Sequence, residues 1–135
     1  MTLPSDHPPV AAPQIGVLLV NLCTPDAPDA PSVRRYLAEC LSDRRVVEIP
    51  QILWQPILRG IILTTRPKKS AHAYAQVWTD DGSPLAAITR AQCAALQCVF
   101  GDAVRVAFAM RYGKPAIGPA IDTLMAAGCQ RILIA

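Results

Sequence analysis

Gly16-Val17-Leu18-Leu19-Val20-Asn21-Leu22-Cys23-Thr24-Pro25 is the stretch whose reading decides the fold. Ile15 and the unbroken apolar run Val17 to Val20 suit a strand buried on both faces, the pattern of a central parallel strand. The run then gives way to Asn, Cys, Thr and Pro, so the strand ends in a loop. In open α/β sheets ligands bind outside the carboxyl ends of strands. Asn21 to Pro25 is therefore expected to form one wall of any site.

Downstream, Asp26 to Pro31 reads as a loop, with Asp29 as N-cap and Pro31 in the first turn of a helix. That helix carries Val33, Tyr36, Leu37, Cys40 and Leu41 on one face and ends at Asp43-Arg44-Arg45. Val46 to Ile49 reads as a short extended segment before Pro50. Ile52 to Leu63 has helical apolar spacing, yet Pro56 must kink that helix or begin it. Taken alone, the residues favour a core helix there over an apolar lip. Arg66-Pro67-Lys68-Lys69-Ser70 opens another helix, with Ala71, Tyr74, Ala75 and Trp78 on its apolar stripe. Ser83-Pro84 caps the next, whose Leu85, Ile88, Leu96 and Val99 are expected to point inward and which stops at Gly101. Val104 to Met110 is a second strand, followed by a helix over Pro115 to Ala127 with Ile117, Ile121, Leu124 and Met125 inward. Arg131 to Ala135 begins a third strand. Strand, helix, strand at this spacing is a crossover that requires parallel strands. The expected fold is α/β, with a parallel sheet flanked by helices. Its last strand is cut short, as expected of a piece of a longer protein or a truncated gene product.

Composition sets the outer bounds. The 135 residues suffice for one domain, and 52% hydrophobic against 17% charged residues argue against disorder over most of the length. Residues 1–14 read as a Pro-rich disordered leader without the features of a signal peptide, and 15–135 as the domain. Five cysteines without a C-x-x-C pair read as reduced, mostly buried thiols of a cytoplasmic protein. Eight of the 13 basic residues lie between Arg34 and Lys69, and the plain reading is a solvated basic face. Few aromatics and no recognisable motif argue against nucleic acid. Ile49 to Leu63 is too short to span a bilayer and contains two prolines and Arg59.

Little catalytic chemistry is legible. No G-x-G-x-x-G or Walker lysine motif supports nucleotide binding. Cys23 at a strand end reads as a structural thiol rather than a nucleophile. His72, on a helix beside lysines with no partner at ligand spacing, reads as a surface residue. Arg111 and Tyr112, at the end of the second strand, allow two readings. Either they bind a flat ligand, the cation pairing its carboxylate and the ring packing on its face, or they form a structural ion pair and a core-edge ring.

Five segments in order resemble one family. Gly16 to Pro25, Leu41-Ser42-Asp43-Arg44-Arg45-Val46-Val47, Arg66-Pro67-Lys68-Lys69-Ser70, Gly82-Ser83-Pro84-Leu85 and Met110-Arg111-Tyr112-Gly113 look like the N-terminal portion of ferrochelatase, from about Ile15 to the last residue. The resemblance implies a Rossmann-like, chelatase-like domain. It also implies insertion of ferrous iron into protoporphyrin IX in haem synthesis, without a cofactor. Carried over by position, it assigns Leu22, Arg66, Tyr74, Ser83, Arg111 and Tyr112 to the porphyrin pocket, with Leu22 leaning towards protoporphyrin as substrate. It turns Trp54 to Leu63 into an active-site lip and a peripheral membrane contact, placing the protein in the cytoplasm or at the inner membrane.

The family's catalytic His and metal-associated Glu would lie beyond Ala135, so no catalytic or metal-binding residue is assigned and the isolated chain is expected to be inactive. Cys23 stands where the family usually has Gly, and strain is expected at that turn. A non-catalytic tetrapyrrole-binding or remnant protein is the alternative reading. A Rossmann-like nucleotide binder is the third.

Overall fold

The computed structural model describes residues 14–135, so the Pro-rich leader lies outside the described residues except for Gln14. Gln14 belongs instead to β1 (Gln14–Cys23). α1 (Ala30–Ser42), α2 (Gln51–Ile57), a π turn (Leu58–Ile62), α3 (Leu63–Val77) and α4 (Pro84–Phe100) follow. A 3₁₀ turn (Gly101–Ala103) then leads to β2 (Val104–Tyr112), α5 (Ile117–Ala126) and β3 (Cys129–Ile134). The sheet is parallel, in the order β2-β1-β3, so β1 is central as its unbroken apolar run requires.

Side-chain alternation divides the sheet. On one face Leu18 and Ala109 form the core with Ala120 and Leu124 of α5 and Cys129 of β3, with Val20, Ala107 and Ile132 packed against it. On the other face the strands meet α4 and α1. The Asn21 amide donates to Thr89 Oγ1 (3.0 Å), and the Cys23 thiol donates to the Tyr36 hydroxyl (3.6 Å). The loop after β1 thus leads to helices on one face, and the loop after β2 leads to α5 on the other. Gly16 lets β1 and β3 pack closely, since a Cβ there would meet Cys129 Sγ and Ile132 Cγ1, each at 3.3 Å.

The caps lie where the sequence places them. Asp29 accepts from the Ser32 backbone N–H (2.7 Å), and Ser83 Oγ accepts from that of Ala86 (3.2 Å). Several details differ from expectation. Val46 to Ile49 is not extended, because the N–H groups of Val46 and Val47 fold back onto the Asp43 carbonyl to make a turn. The two helices expected on either side of Leu63 form one run from Gln51 to Val77, with Pro56 and Pro67 inside it. The π turn absorbs the disturbance: Leu63 N–H reaches Leu58 O, and the hydroxyls of Thr64 and Thr65 bond the carbonyls of Gly60 and Ile61.

Ile88 and Val99 of α4 and Met125 of α5 are exposed rather than inward. The inward line of α4 is partly polar, since Thr89 is buried and Gln97 bonds the β2 backbone at Val104 and Val106. Ala75 is likewise exposed. Of the five free cysteines only Cys129 is fully buried. The plain core reading of Ile52 to Leu63 is overturned, because Ile52 is 87% exposed and Leu53, Ile57 and Ile61 are exposed too. Leu58 and Leu63 are buried, and the half-buried Trp54 indole donates to the Leu41 carbonyl (2.7 Å). These three residues fasten the run to the domain and leave an apolar flank in water.

Candidate functional site

At the carboxyl edge of the sheet Asn21 pairs with Met110 and Cys23 with Tyr112, so Leu22 and Arg111 between them stand side by side on the same face. Leu22 is 63% exposed, and its backbone N–H donates to Asn21 Oδ1 (2.8 Å). Leu22 stands out into solvent there, while the Arg111 guanidinium turns back to Tyr112 and Asp43.

Asp43, the C-cap of α1, ties this edge down. Its Oδ2 accepts from the Tyr112 hydroxyl (2.6 Å) and from Arg111 Nη2 (3.3 Å), and its Oδ1 accepts from the Arg45 N–H (2.8 Å). Arg111 Nε also donates to the Tyr112 oxygen (3.1 Å), and the guanidinium carbon lies 5.4 Å from the ring centre. The Tyr112 phenol and the Arg45 amide, both donors to the charged form, hold the Asp43 carboxyl down at about 2. The bond that Arg111 donates to the Tyr112 oxygen raises Arg111, and Asp43 raises Tyr112. The backbone N–H of Gly113 donates to Glu39 Oε2 (3.1 Å), a second link from the edge to α1.

The loop after β1 is pinned from the other side. Thr24 Oγ1 donates to Ser83 Oγ (2.6 Å), and both residues are buried. Gly113 passes so close that a Cβ there would meet Thr24 O at 2.8 Å, and its φ of +91° lies in the region that disfavours side chains. No described non-glycine residue has positive φ, so the strain expected at Cys23 is absent: Cys23 is ordinary extended strand. Its bond to Tyr36 fits the structural-thiol reading. Burial raises Tyr36 well above the usual phenol range and, together with the neighbouring Cys23 thiol, lifts Cys40 to about 11. Neither group is primed as a nucleophile at neutral pH.

The structure brings Arg111 and Tyr112 into contact, sets Leu22 on the neighbouring strand end, and holds Ser83 against the loop after β1 through Thr24. Tyr74 reaches the edge only by way of Tyr36, in an edge-to-face series Tyr36–Tyr74–Trp78 with 6.4 Å between successive ring centres. Arg66 lies exposed on α3 and joins none of these contacts. A hollow of about 570 Å³ lies between α1 and α3, lined by Pro31, Arg34, Arg35, Leu63 and Lys68 among others. A smaller one of about 160 Å³ is lined by residues including Thr24, Ser32, Tyr36, Glu39 and Gly113. None of the six sequence-assigned residues lines either hollow; Tyr74 lines a third of about 280 Å³ with Ser70, Ala73 and Val77.

The eight clustered cations are all exposed, as a solvated face requires, and of them only Arg35 forms an ion pair among the described residues, with Asp26 at 3.7 Å. His72 is exposed on α3 and lies 3.4 Å from the Gln76 amide. No metal-binding group of three or more His, Cys, Asp or Glu occurs among the described residues. Thr24 falls within the Asn21 to Pro25 wall expected from the sequence, whereas sequence reasoning missed Asp43 as part of this edge. Asp43 had a signal, since it lies in the quoted Leu41 to Val47 segment, but was read only as a helix end.

A family profile described as Ferrochelatase matches residues 14–135. Ferrochelatase from Azoarcus sp. (strain BH72) is 56% identical over 121 residues, covering 88% of this chain and 33% of that protein. The ferrochelatases of Stenotrophomonas maltophilia (strain R551-3) and Rhodobacter capsulatus are 55% and 50% identical, covering 91% and 96% of this chain and 38% and 39% of theirs. The chain therefore spans about a third of the length of the curated relatives it matches. The match begins at the first residue of β1, runs through every element of the fold and includes the edge where Leu22, Arg111 and Asp43 meet, which makes this chain a member of the ferrochelatase family.

Proposed function

We propose that this chain supplies the N-terminal porphyrin-binding wall of a ferrochelatase, the enzyme that inserts ferrous iron into protoporphyrin IX in haem biosynthesis. The observation that supports the reading is that exposed Leu22 and Arg111 lie on neighbouring strand ends, between the pairs Asn21–Met110 and Cys23–Tyr112, in a chain of this family. A porphyrin is a flat apolar disc with acidic tails, and it calls for apolar walls and a few cations. Leu22 suits the disc. Arg111 and the exposed cations Arg66 and Lys68 suit the tails, while Tyr74, Ser83 and Tyr112 shape and brace the wall. No resident cofactor is needed, because iron and porphyrin are both substrates.

The chemistry requires more than a wall. Iron cannot enter the ring while the inner nitrogens keep their protons, so a base must take them and the macrocycle must be held distorted. His72, exposed on α3 beside Gln76, is not suited to that task. The isolated chain is therefore expected to bind porphyrin without metallating it. The exposed Ile52, Leu53, Ile57 and Ile61 would meet the greasy substrate or a bilayer surface, giving a peripheral attachment at the inner membrane. No described helix is long and apolar enough to cross a membrane.

Titration of the chain with protoporphyrin IX, followed by pigment absorbance and tryptophan quenching, tests the reading. Saturable binding that weakens in Leu22→Asp and Arg111→Ala is expected, with no comparable response to a nucleotide. Absence of saturable binding would overturn it.

A further inference from the structure

Arg111 is a long side chain at the end of a strand, where an unbraced guanidinium would sample many rotamers. Here it is braced at two points. Its Nε–H is taken by the Tyr112 oxygen at 3.1 Å and one Nη2–H by Asp43 at 3.3 Å. The brace is itself fixed, because Asp43 receives the Tyr112 hydroxyl at 2.6 Å and the Arg45 N–H at 2.8 Å while capping α1. A guanidinium has five N–H groups in a rigid plane. Two are engaged, so three remain: both on Nη1 and the second on Nη2. Those three include the terminal fork that pairs with a carboxylate through two parallel bonds. The Arg111 side chain is 38% exposed, and neither Nη1–H has a partner among the described residues.

We propose that Asp43 is a positioning residue that acts through Arg111: it holds the guanidinium with its terminal fork free to take one carboxylate of an acidic tetrapyrrole. The inference rests on the porphyrin-binding reading above and adds to it the residue that readies Arg111 for the acidic tail. Asp43 touches no ligand. A carboxylate that merely neutralised Arg111 would have the opposite effect, since it would compete with the ligand, and the two roles differ in sign.

The test compares binding of protoporphyrin IX and of its dimethyl ester by the full chain and its variants, with far-UV circular dichroism to establish folding. Asp43→Asn should weaken the dicarboxylate about five- to tenfold and leave the ester unchanged, because only the former uses the oriented fork. Asp43→Glu should restore most of the loss. Tyr112→Phe, which removes the other brace, should show the same ligand-selective pattern and serves if Asp43→Asn fails to fold. Tighter dicarboxylate binding by Asp43→Asn, or equal loss for both ligands, overturns the proposal while wild-type binding leaves the wider reading standing. If the wild-type chain binds neither porphyrin, both fall.

Discussion

Ser83 is the residue at which the family resemblance and the structure ask for different experiments. By position it belongs to a porphyrin pocket, yet it is 3% exposed and its oxygen already accepts from the Ala86 N–H and the Thr24 hydroxyl. Ser83→Ala removes an N-cap, which costs about 1 kcal/mol. It also leaves Thr24 Oγ1 buried without its partner, for roughly 1–2 kcal/mol more. The approach of Thr24 Oγ1 to the Pro25 carbonyl, at 3.5 Å, is too long to make up the loss. The expected total is about 2–3 kcal/mol, read as a lower urea midpoint at unchanged slope. Thr24→Val/Ser83→Ala removes the orphaned hydroxyl as well, so the double variant should recover all but about 1 kcal/mol of the loss. A single variant within about 0.5 kcal/mol of wild type, or a double variant worse than Ser83→Ala, would refute the reasoning. The measurement also guards against misreading: weaker pigment binding by Ser83→Ala would reflect a loosened loop and not a lost ligand contact.

Three further outcomes are expected. Gly113→Ala should destabilise by more than the roughly 1–2 kcal/mol of a side chain at positive φ, because its Cβ must also displace the Thr24 carbonyl; thermal melts check this. Trp54→Phe loses the indole bond to Leu41 O and should cost about 1 kcal/mol in urea titrations, with the apolar flank of α2 becoming more open to proteolysis. Asp43 has its folded carboxyl below the unfolded value, so its contribution is fully present above about pH 4 and is lost as pH falls towards 2. Asp43→Asn should flatten the acid limb of stability in that window, and an unchanged limb would show that the carboxylate contributes nothing there.

The sheet was legible because its evidence is local. An unbroken apolar run followed by Asn-Leu-Cys-Thr-Pro can hardly be anything but a central strand and its loop, and Asp29-Ala30-Pro31 and Ser83-Pro84 carry their own capping chemistry. Helix faces were less legible because apolar periodicity counts residues without identifying neighbours. Thr89 and Gln97 take the inward line of α4 since Asn21 and the β2 backbone need partners there, and Ile88 and Val99 are turned out. Prolines misled in the same way: Pro56 and Pro67 read as boundaries, whereas a locally widened turn carries the helix past them. At the candidate site, strand ends announced Leu22, Arg111 and Tyr112. Asp43 was hidden by distance along the chain, its phenol partner lying 69 residues away.

The π turn at Leu58–Ile62 bears on which length changes this chain can tolerate. An ordinary helix advances by about 100° per residue, whereas a π turn winds about 20° less at each, so the five residues Leu58–Ile62 turn through roughly what four do in an α-helix and everything after them keeps its phase. Excising Gly60, which has open space where a Cβ would stand, would return the run to ordinary α winding with α3 still in phase against α2. Ala71 could then stay buried while Leu58 keeps its place in the core. A substitution or a one-codon deletion at Gly60 should pass almost unnoticed, whereas a one-codon deletion in the regular turns of α3, which has no slack to give up, should not.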